Sequence, residues 1–454
     1  MSRPRLLTSG AVGPLLLRLA APMLIGTFSI VAFNLTDTYF VSQLGTTSLA
    51  AISFTFPVIM VVGSIALGLG VGASAVISQA IGAGNERRVR RLTTDSLVLA
   101  VTIVAVISTV GYFTIDPLFR ALGADDVVMP QIESFMTIWY VGMVFVVVPM
   151  VGNNAMRATG DTLTPALIMA TGAGVNIVLD PILIFGLVGA PRMGISGAAL
   201  ATVIARSCTL TAALWVLGRR KHMLDRSRPS GCDVLRSWFE VLHVGIPAAG
   251  TRLLTPISMG IFTRLVAEYG RESVAAVGAG SRLEGFAMIV IMAIASALVP
   301  FVGQNWGAGE RDRAALGTTR GSQYAVTWGA VCVIVLAALS GPLARAFSDD
   351  PVVIERITLF LWIVPLGYGL QGVSILVGSA FNAMRSPGRS LWLSVVRLFA
   401  LFLPLAFVGS LVFGFVGLLV GVAAANVLAG VVAWLWVRAA MAKDAAARAG
   451  GAPA

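Results

Sequence analysis

The chain has 454 residues, 57% of them hydrophobic and only 12% charged, with a mean hydropathy of +0.89. A soluble globular protein carries about 25% charged residues, so the composition excludes a soluble enzyme and defines an integral membrane protein. The net charge of +11 does not mark a nucleic-acid binder, because the arginines cluster in short loops between apolar runs, where they set topology.

Runs that are apolar on every side also exclude a β-barrel, whose strands alternate apolar and polar residues. A crossing helix needs about 20 apolar residues. Such runs lie at 14–40, 48–80, 93–115, 131–152, 162–186, 193–217, 237–267, 274–303, 317–340, 353–380, 388–411 and 413–437. The first is too long for a signal-peptide core and lacks a clear cleavage site, so it is expected to stay as a span. Cys208, Cys232 and Cys332 lie far apart without metal or redox spacing, which predicts neither disulfide nor metal centre.

Basic residues mark Arg3/Arg5, Arg87-Arg88-Val89-Arg90-Arg91, Arg157, Arg219-Arg220-Lys221 with Arg226/Arg228/Arg236, Arg311/Arg313/Arg320, Arg385/Arg389 and Arg438/Lys443/Arg448. These are alternate loops plus both termini, and they hold 21 of the 32 Lys and Arg. The other loops hold Arg120, Arg192, Arg271, Arg345 and Arg356. The asymmetry places both termini in the cytoplasm, and twelve spans fit the alternation.

The two halves repeat. Pro22 matches Pro247, Gly45 matches Gly270, Gln79 matches Gln304, and Gly82-Ala83-Gly84 matches Gly307-Ala308-Gly309, all at an offset of 225. Asn154-Ala155-Met156-Arg157 matches Asn382-Ala383-Met384-Arg385 at 228. Gapless matching of this length indicates duplication. Each repeat starts in the cytoplasm, so the two are related by an axis along the membrane normal. The expected fold is an all-α membrane protein with twelve transmembrane helices in two parallel-related six-helix lobes. The N-lobe is placed at 1–217, a cytoplasmic linker at 218–236, the C-lobe at 237–437 and a cytoplasmic tail at 438–454.

Two acids interrupt the apolar runs of the first lobe. One is Asp180, in Asn176-Ile177-Val178-Leu179-Asp180-Pro181; the other is Asp37, in Asn34-Leu35-Thr36-Asp37. A carboxylate inside a membrane helix costs about 2.5 kcal/mol or more, so it is shielded and marks function. Asn176 and Asp180 are four apart and share a helix face. Pro181 has no N–H, which frees the carbonyl of Ile177 for another ligand. Asp37 and Asp180 are read as one site, with Asn34 as a further polar candidate beside Asp37. Pro22 frees the carbonyl of Arg18 and should kink the first helix.

Two six-helix lobes have the geometry of alternating access. At this point the chain resembles the multidrug and toxic compound extrusion (MATE) transporters. The likeness is carried by Pro22 with Asn34-Leu35-Thr36-Asp37, by Gln79-Ala80-Ile81-Gly82-Ala83-Gly84 and by Met156-Arg157-Ala158-Thr159-Gly160-Asp161. It continues in Asn176…Asp180-Pro181, in Gly194-Ile195-Ser196-Gly197-Ala198-Ala199-Leu200-Ala201-Thr202 and in Gly303-Gln304-Asn305-Trp306-Gly307-Ala308-Gly309. The resemblance implies an antiporter that expels organic cations or other amphiphiles in exchange for H⁺ or Na⁺. It implies a cation site at Asp37, Asn176, Asp180 and Thr202, with Na⁺ as a candidate ion, and a bend at Pro22. The partners it implies are small amphiphilic substrates and membrane lipids, with no cofactor and no nucleic acid. A monomer in the plasma or inner membrane is expected.

Depth along the spans agrees. At 1.5 Å per residue Asp37, Asp180 and Thr202 all fall in the outer half of the membrane. Paired buried acids can share a proton, and hard oxygen ligands can hold Na⁺. At the repeat offsets Asp37 corresponds to Phe262, Asp180 to Val408 and Asn176 to Pro404, so the acids occur in one lobe only. The best-known sodium-coupled branch of the family has an acid in the tenth helix, where this chain has Gln371. That departure favours coupling through the first lobe.

Weaker candidates are Arg282 and Glu284, read as an intramembrane pair, and a scatter of methionines suited to an adaptable drug cavity. The Gly63–Gly72 stretch reads as close helix packing and not as a phosphate loop. The competing functions are a flippase for a lipid-linked precursor, which would be expected to line its cleft with several arginines, and a membrane enzyme. The chain contains neither HExxH nor GxSxG, so the enzyme ranks far behind.

Overall fold

The computed structural model describes residues 7–225, 227 and 230–449, with side chains described through Asp444. Arg3, Arg5, Arg226, Arg228 and the end of the tail lie outside the described residues or side chains. The described residues are all-helical, without a strand. Ten helices or helical runs among them are long and apolar enough to cross a membrane, and the chain is a multi-pass membrane protein.

The first half contains α1 (Val12–Ser42), α2 (Thr46–Gly82), α3 (Glu86–Phe113), the short α4 (Ile115–Ala121), α5 (Met129–Ala158), α6 (Leu163–Phe185) and α7 (Ile195–Trp215). The second half contains α8 (Gly231–Ala267), α9 (Arg271–Gly307), α10 (Arg311–Ala338), the short α11 (Ser340–Phe347), α12 (Pro351–Ile363), α13 (Tyr368–Ala383), α14 (Pro387–Val395) and α15 (Leu403–Ala449). The duplication extends to helix ends. Both ends of α2 and α9, and both ends of α3 and α10, differ by the same 225 residues.

The repeated glycines explain why. Gly45 and Gly270 precede α2 and α9 with φ of 104° and 89°. Gly194 precedes α7 with φ 57° and ψ −132°, and Gly414 inside α15 has φ 59° and ψ −138°. A side chain would be strained at such positive φ. The Phe413–Gly414 kink thus divides α15 where the Gly194 turn separates α6 from α7.

Three details depart from the expected spans. Pro365 removes a helical donor, so the 353–380 run is broken by a 3₁₀ turn at Val364–Gly367. A π-helical segment, Val396–Phe402, interrupts the 388–411 run. And α8 begins at Gly231, inside the stretch read as a linker. Ser230 and Asp233 explain that start: the Asp233 N–H donates to Ser230 Oγ at 3.2 Å, as at a serine N-cap, and the hydroxyl donates to Asp233 Oδ2 at 3.0 Å.

The chain packs as two compact units. Of the described residues, one contains those of 21–249, the other those of 7–20 and 250–449. In the first unit α5 is the central helix, packed against α2, α3 and α7. Its core includes Ile132, Met136, Met143 and Val151, all fully buried. The first turns of α8 belong to this unit. Glu240 accepts from Arg88 Nη2 at 2.6 Å, and Trp238 Nε1 donates to the Asp95 carbonyl at 3.0 Å. A Cβ on Gly68 or Gly72 would strike the α8 backbone at Gly245 or Val241, so the glycine-rich stretch of α2 is a close helix contact. In the second unit α13 takes the central place, against α9, α10 and α15. Large apolar side chains point outward throughout, among them Phe113 (77% exposed) and Phe239 (71%), as lipid-facing surfaces require.

Candidate functional site

The site is built on α6. Asn176 and Asp180 stack one turn apart and are both fully buried. Asn176 Nδ2 donates to Asp180 Oδ1 at 3.1 Å. The remaining oxygens, Asn176 Oδ1 and Asp180 Oδ2, are buried without a hydrogen-bond partner among the described residues. An orphaned buried acceptor costs about 1–3 kcal/mol, and more when charged. Two adjacent ones fit a ligand that brings positive charge: a proton, or a hard cation.

Asp37 comes to this pair from α1. It is half-buried, and its carboxylate lies within electrostatic reach of Asp180. The packing around it shows a register. Val41, Ile184 and Ala198 form one fully buried apolar cluster, with Phe40 and Phe185 against it. Each of the three stands four residues from a site residue: Val41 from Asp37, Ile184 from Asp180, Ala198 from Thr202. Four residues are one helical turn, so α1, α6 and α7 carry an apolar layer directly against a polar one.

A third layer lies one turn to the other side, at Phe33, Asn176 and Arg206. The Arg206 guanidinium sits over the Phe33 ring, 4.9 Å from its centroid, a cation–π contact. The signal that could have found Arg206 is its spacing of one turn from Thr202. Thr202 itself is half-buried on α7, at the level of Asp180. Asn34 is exposed, and its backbone carbonyl accepts from Thr38 Oγ1 at 2.8 Å. Pro22 lies inside α1, beside the residue 20/21 boundary between the two units.

The second unit holds a different polar cluster. Arg282 and Glu284 are two apart on α9, so they do not share a face, and Arg282 is exposed. Glu284 instead accepts from Gln371 Nε2 at 3.1 Å and lies within electrostatic reach of Arg397 on the π-helical segment. Gln371 Oε1 and the Tyr368 hydroxyl are buried there without partners among the described residues. Glu284 thus meets Gln371, with Arg397 within electrostatic reach, and not Arg282. Among the described residues no three His, Cys, Asp or Glu side chains gather as a metal centre would need.

The Met156–Asp161 motif is structural at its acidic end. Asp161 pairs with Lys221 at 2.8 Å and accepts from the Thr164 hydroxyl at 2.8 Å. Burial alone would raise its pKa, but the bonds from Lys221 and Thr164 hold the carboxyl below its ordinary value.

Comparison with known proteins agrees with this architecture. The MatE family model matches residues 22–182 and again 247–408, once in each half of the chain. The chain belongs to the MatE family; it is a membrane transporter and not an enzyme. It is 40% identical over 425 residues to the FAD transporter of Shewanella oneidensis, covering 94% of each protein. It is 28% identical to the probable multidrug resistance protein YoeA of Bacillus subtilis, over 80% of each. A solved structure of the Vibrio cholerae MATE transporter VcmN in the bent form superposes with a TM-score of 0.91 at 32% identity, covering 95% of this chain and 97% of that one.

Proposed function

We propose that this protein is a secondary antiporter that exports small amphiphilic molecules in exchange for H⁺ or Na⁺ by alternating access. The observation that supports it is the buried Asn176–Asp180 pair with its two orphan oxygens and Asp37 in reach. An ion entering there satisfies both oxygens and screens two like charges. For H⁺ the acids share the proton. For Na⁺ the ligands are Asp37, Asn176 Oδ1, Asp180 and Thr202. In this reading twelve helices cross the membrane: the ten apolar runs, α8, and the second limb of α15 beyond Gly414. They form two parallel-related six-helix halves, with both termini cytoplasmic and the Val41 layer facing outward.

The cargo reading has two forms. Organic cations and drugs follow the multidrug relatives, and a flavin dinucleotide follows the relative of 40% identity. The deciding experiment is transport in proteoliposomes, with the proton and sodium gradients varied separately. Efflux of a dye or of FAD driven by either gradient supports antiport. Equal transport with both gradients collapsed removes it.

A further inference from the structure

The second unit contains a cavity of about 300 Å³ between the end of α9, the start of α14 and the tail of α15. That volume is at the lower end of the range for small-molecule sites, roughly 300–1,000 Å³. The lining includes Trp306, Met384, Ser386, Arg389, Lys443 and Asp444. Met384 is buried, Trp306, Ser386 and Asp444 are half-buried, and the two cations are exposed.

The one acid of the lining already has a partner. Asp444 Oδ2 lies 3.6 Å from Arg311 Nε, and the Arg311 guanidinium sits over the Trp306 ring, 3.3 Å from its centroid. Arg389 and Lys443 form no ion pair among the described residues. The repeat sharpens this. The offset of 228 that aligns Arg157 with Arg385 continues to Gly160 with Gly388 and to Asp161 with Arg389. In the first half Asp161 pairs with Lys221 at 2.8 Å, so that turn carries its own anion. In the second half a cation stands at the same position, and a second cation, Lys443, shares its cavity.

Two cations on one cavity favour an anion from outside, and the guanidinium fork matches phosphate oxygens. Ser386 is the N-cap of α14 but makes no side-chain cap bond, which leaves its hydroxyl for the same group. The positive end of the α14 dipole adds to the attraction. Aromatic neighbours place the cavity at the membrane surface. Trp436 packs on Phe381 with ring centroids 6.0 Å apart, Arg389 lies over the same Phe381 ring at 6.0 Å, and Arg438 lies over Trp434 at 5.0 Å. Tryptophans beside basic residues mark the membrane–water interface, where basic side chains meet lipid phosphates.

We propose that this cavity binds a phosphate group, supplied by the headgroup of an anionic phospholipid, with Arg389 and Lys443 as its counter-ions. The site belongs to the second unit alone and is separate from the acid layer of the first.

The test uses purified full-length protein in nanodiscs of phosphatidylcholine and phosphatidylglycerol in equal amounts, with matched acyl chains. Lipids retained after mild delipidation are counted by mass spectrometry. Wild type should retain phosphatidylglycerol about tenfold over phosphatidylcholine. Replacing both cations, Arg389→Gln with Lys443→Gln, should bring that ratio to about one. Arg389→Asp puts an acid in the cavity with Lys443, as Asp161 is beside Lys221, and should also erase the preference, a second route if the double variant does not fold. Arg438→Gln removes a basic residue of the same helix outside the lining and should leave the ratio unchanged. An equal fall in Arg438→Gln would mean a general basic belt and overturn the site, as would a preference that survives Arg389→Asp. A last arm titrates pyrophosphate into the protein in phosphatidylcholine alone. Arg389-dependent pyrophosphate binding without a phosphatidylglycerol preference overturns the lipid as the source of the phosphate. None of these readouts needs a gradient, so they stand apart from the antiport reading.

Discussion

The two halves share helix ends to the residue over α2/α9 and α3/α10, yet they bury different chemistry. Where the first has Asp37, the second has Phe262, buried and packed on Phe402 with ring centroids 5.1 Å apart. Where the first has Asn176 and Asp180, both fully buried, the second has Pro404 and Val408, both exposed. Its own intramembrane acid, Glu284, is compensated by Gln371 and Arg397. Duplication has preserved the turns that set helix length, while the charged layer is confined to one copy. A feature that served the scaffold alone would be expected in both. The asymmetry is therefore the strongest argument that the acid layer works.

The largest expected effect tests that argument directly. Asp37→Asn and Asp180→Asn should each reduce gradient-driven efflux by about a hundredfold or more, the scale of a lost proton-transfer group, with membrane expression unchanged. The double mutant should be little worse than either single, because residues acting as one site are non-additive. Multiplicative losses would show two independent acids and break the single-site reading.

Next comes the attempt to equalise the halves. Phe262→Asp places a carboxylate where the layer has no amide or second acid to meet it. Burial without partners should destabilise the protein by about 2–3 kcal/mol or more, read as a fall in thermal unfolding temperature in detergent. A changed ion-to-substrate stoichiometry in this mutant would show that the second half can also couple.

Much of this was legible before any coordinates. The Asn176–Asp180 pair was visible because a four-residue spacing fixes a shared face and because charge in an apolar run is rare. The duplication was visible because its offset is constant. What stayed hidden depended on the rotation of one helix against another. Periodicity does not say that Phe33 meets Arg206, nor that Asn176 Oδ1 and Asp180 Oδ2 are left without partners. Arg282 and Glu284 looked like a pair because they are neighbours in sequence. Two residues along a helix turn a side chain by about 200°; the hydrogen-bond partner is Gln371 on α13, and Arg397, within electrostatic reach, lies on a π-helical segment whose altered winding no apolar count reveals.

A smaller effect tests the shared scaffold. Gly194→Ala and Gly414→Ala each force a side chain into positive φ, at a cost of about 1–2 kcal/mol. The two should lower stability equally, because φ and ψ agree within 6°. A loss at one position only would mean that the two turns do different work.

The smallest expected effect concerns Pro22 and Pro247, the prolines that repeat in α1 and α8. Each lies within a few residues of a boundary between the compact units, at 20/21 and at 249/250. Pro22 also shares its helix with Asp37, fifteen residues on, or about 22 Å. A change of charge at Asp37 can thus bias a bend whose soft point is the unpaired carbonyl of Arg18. Pro22→Ala restores that hydrogen bond and stiffens α1. Substrate affinity should survive, since the acids remain. Turnover should fall about three- to tenfold, or about 1 kcal/mol of barrier, because the access states interconvert less easily. Pro247→Ala should change turnover less, because α8 has Phe262 in place of the acid. The measurement pairs affinity in detergent with efflux rate in vesicles for both variants. Equal turnover losses would make the two prolines one inherited kink, and only a loss confined to Pro22 ties the bend to the acid layer.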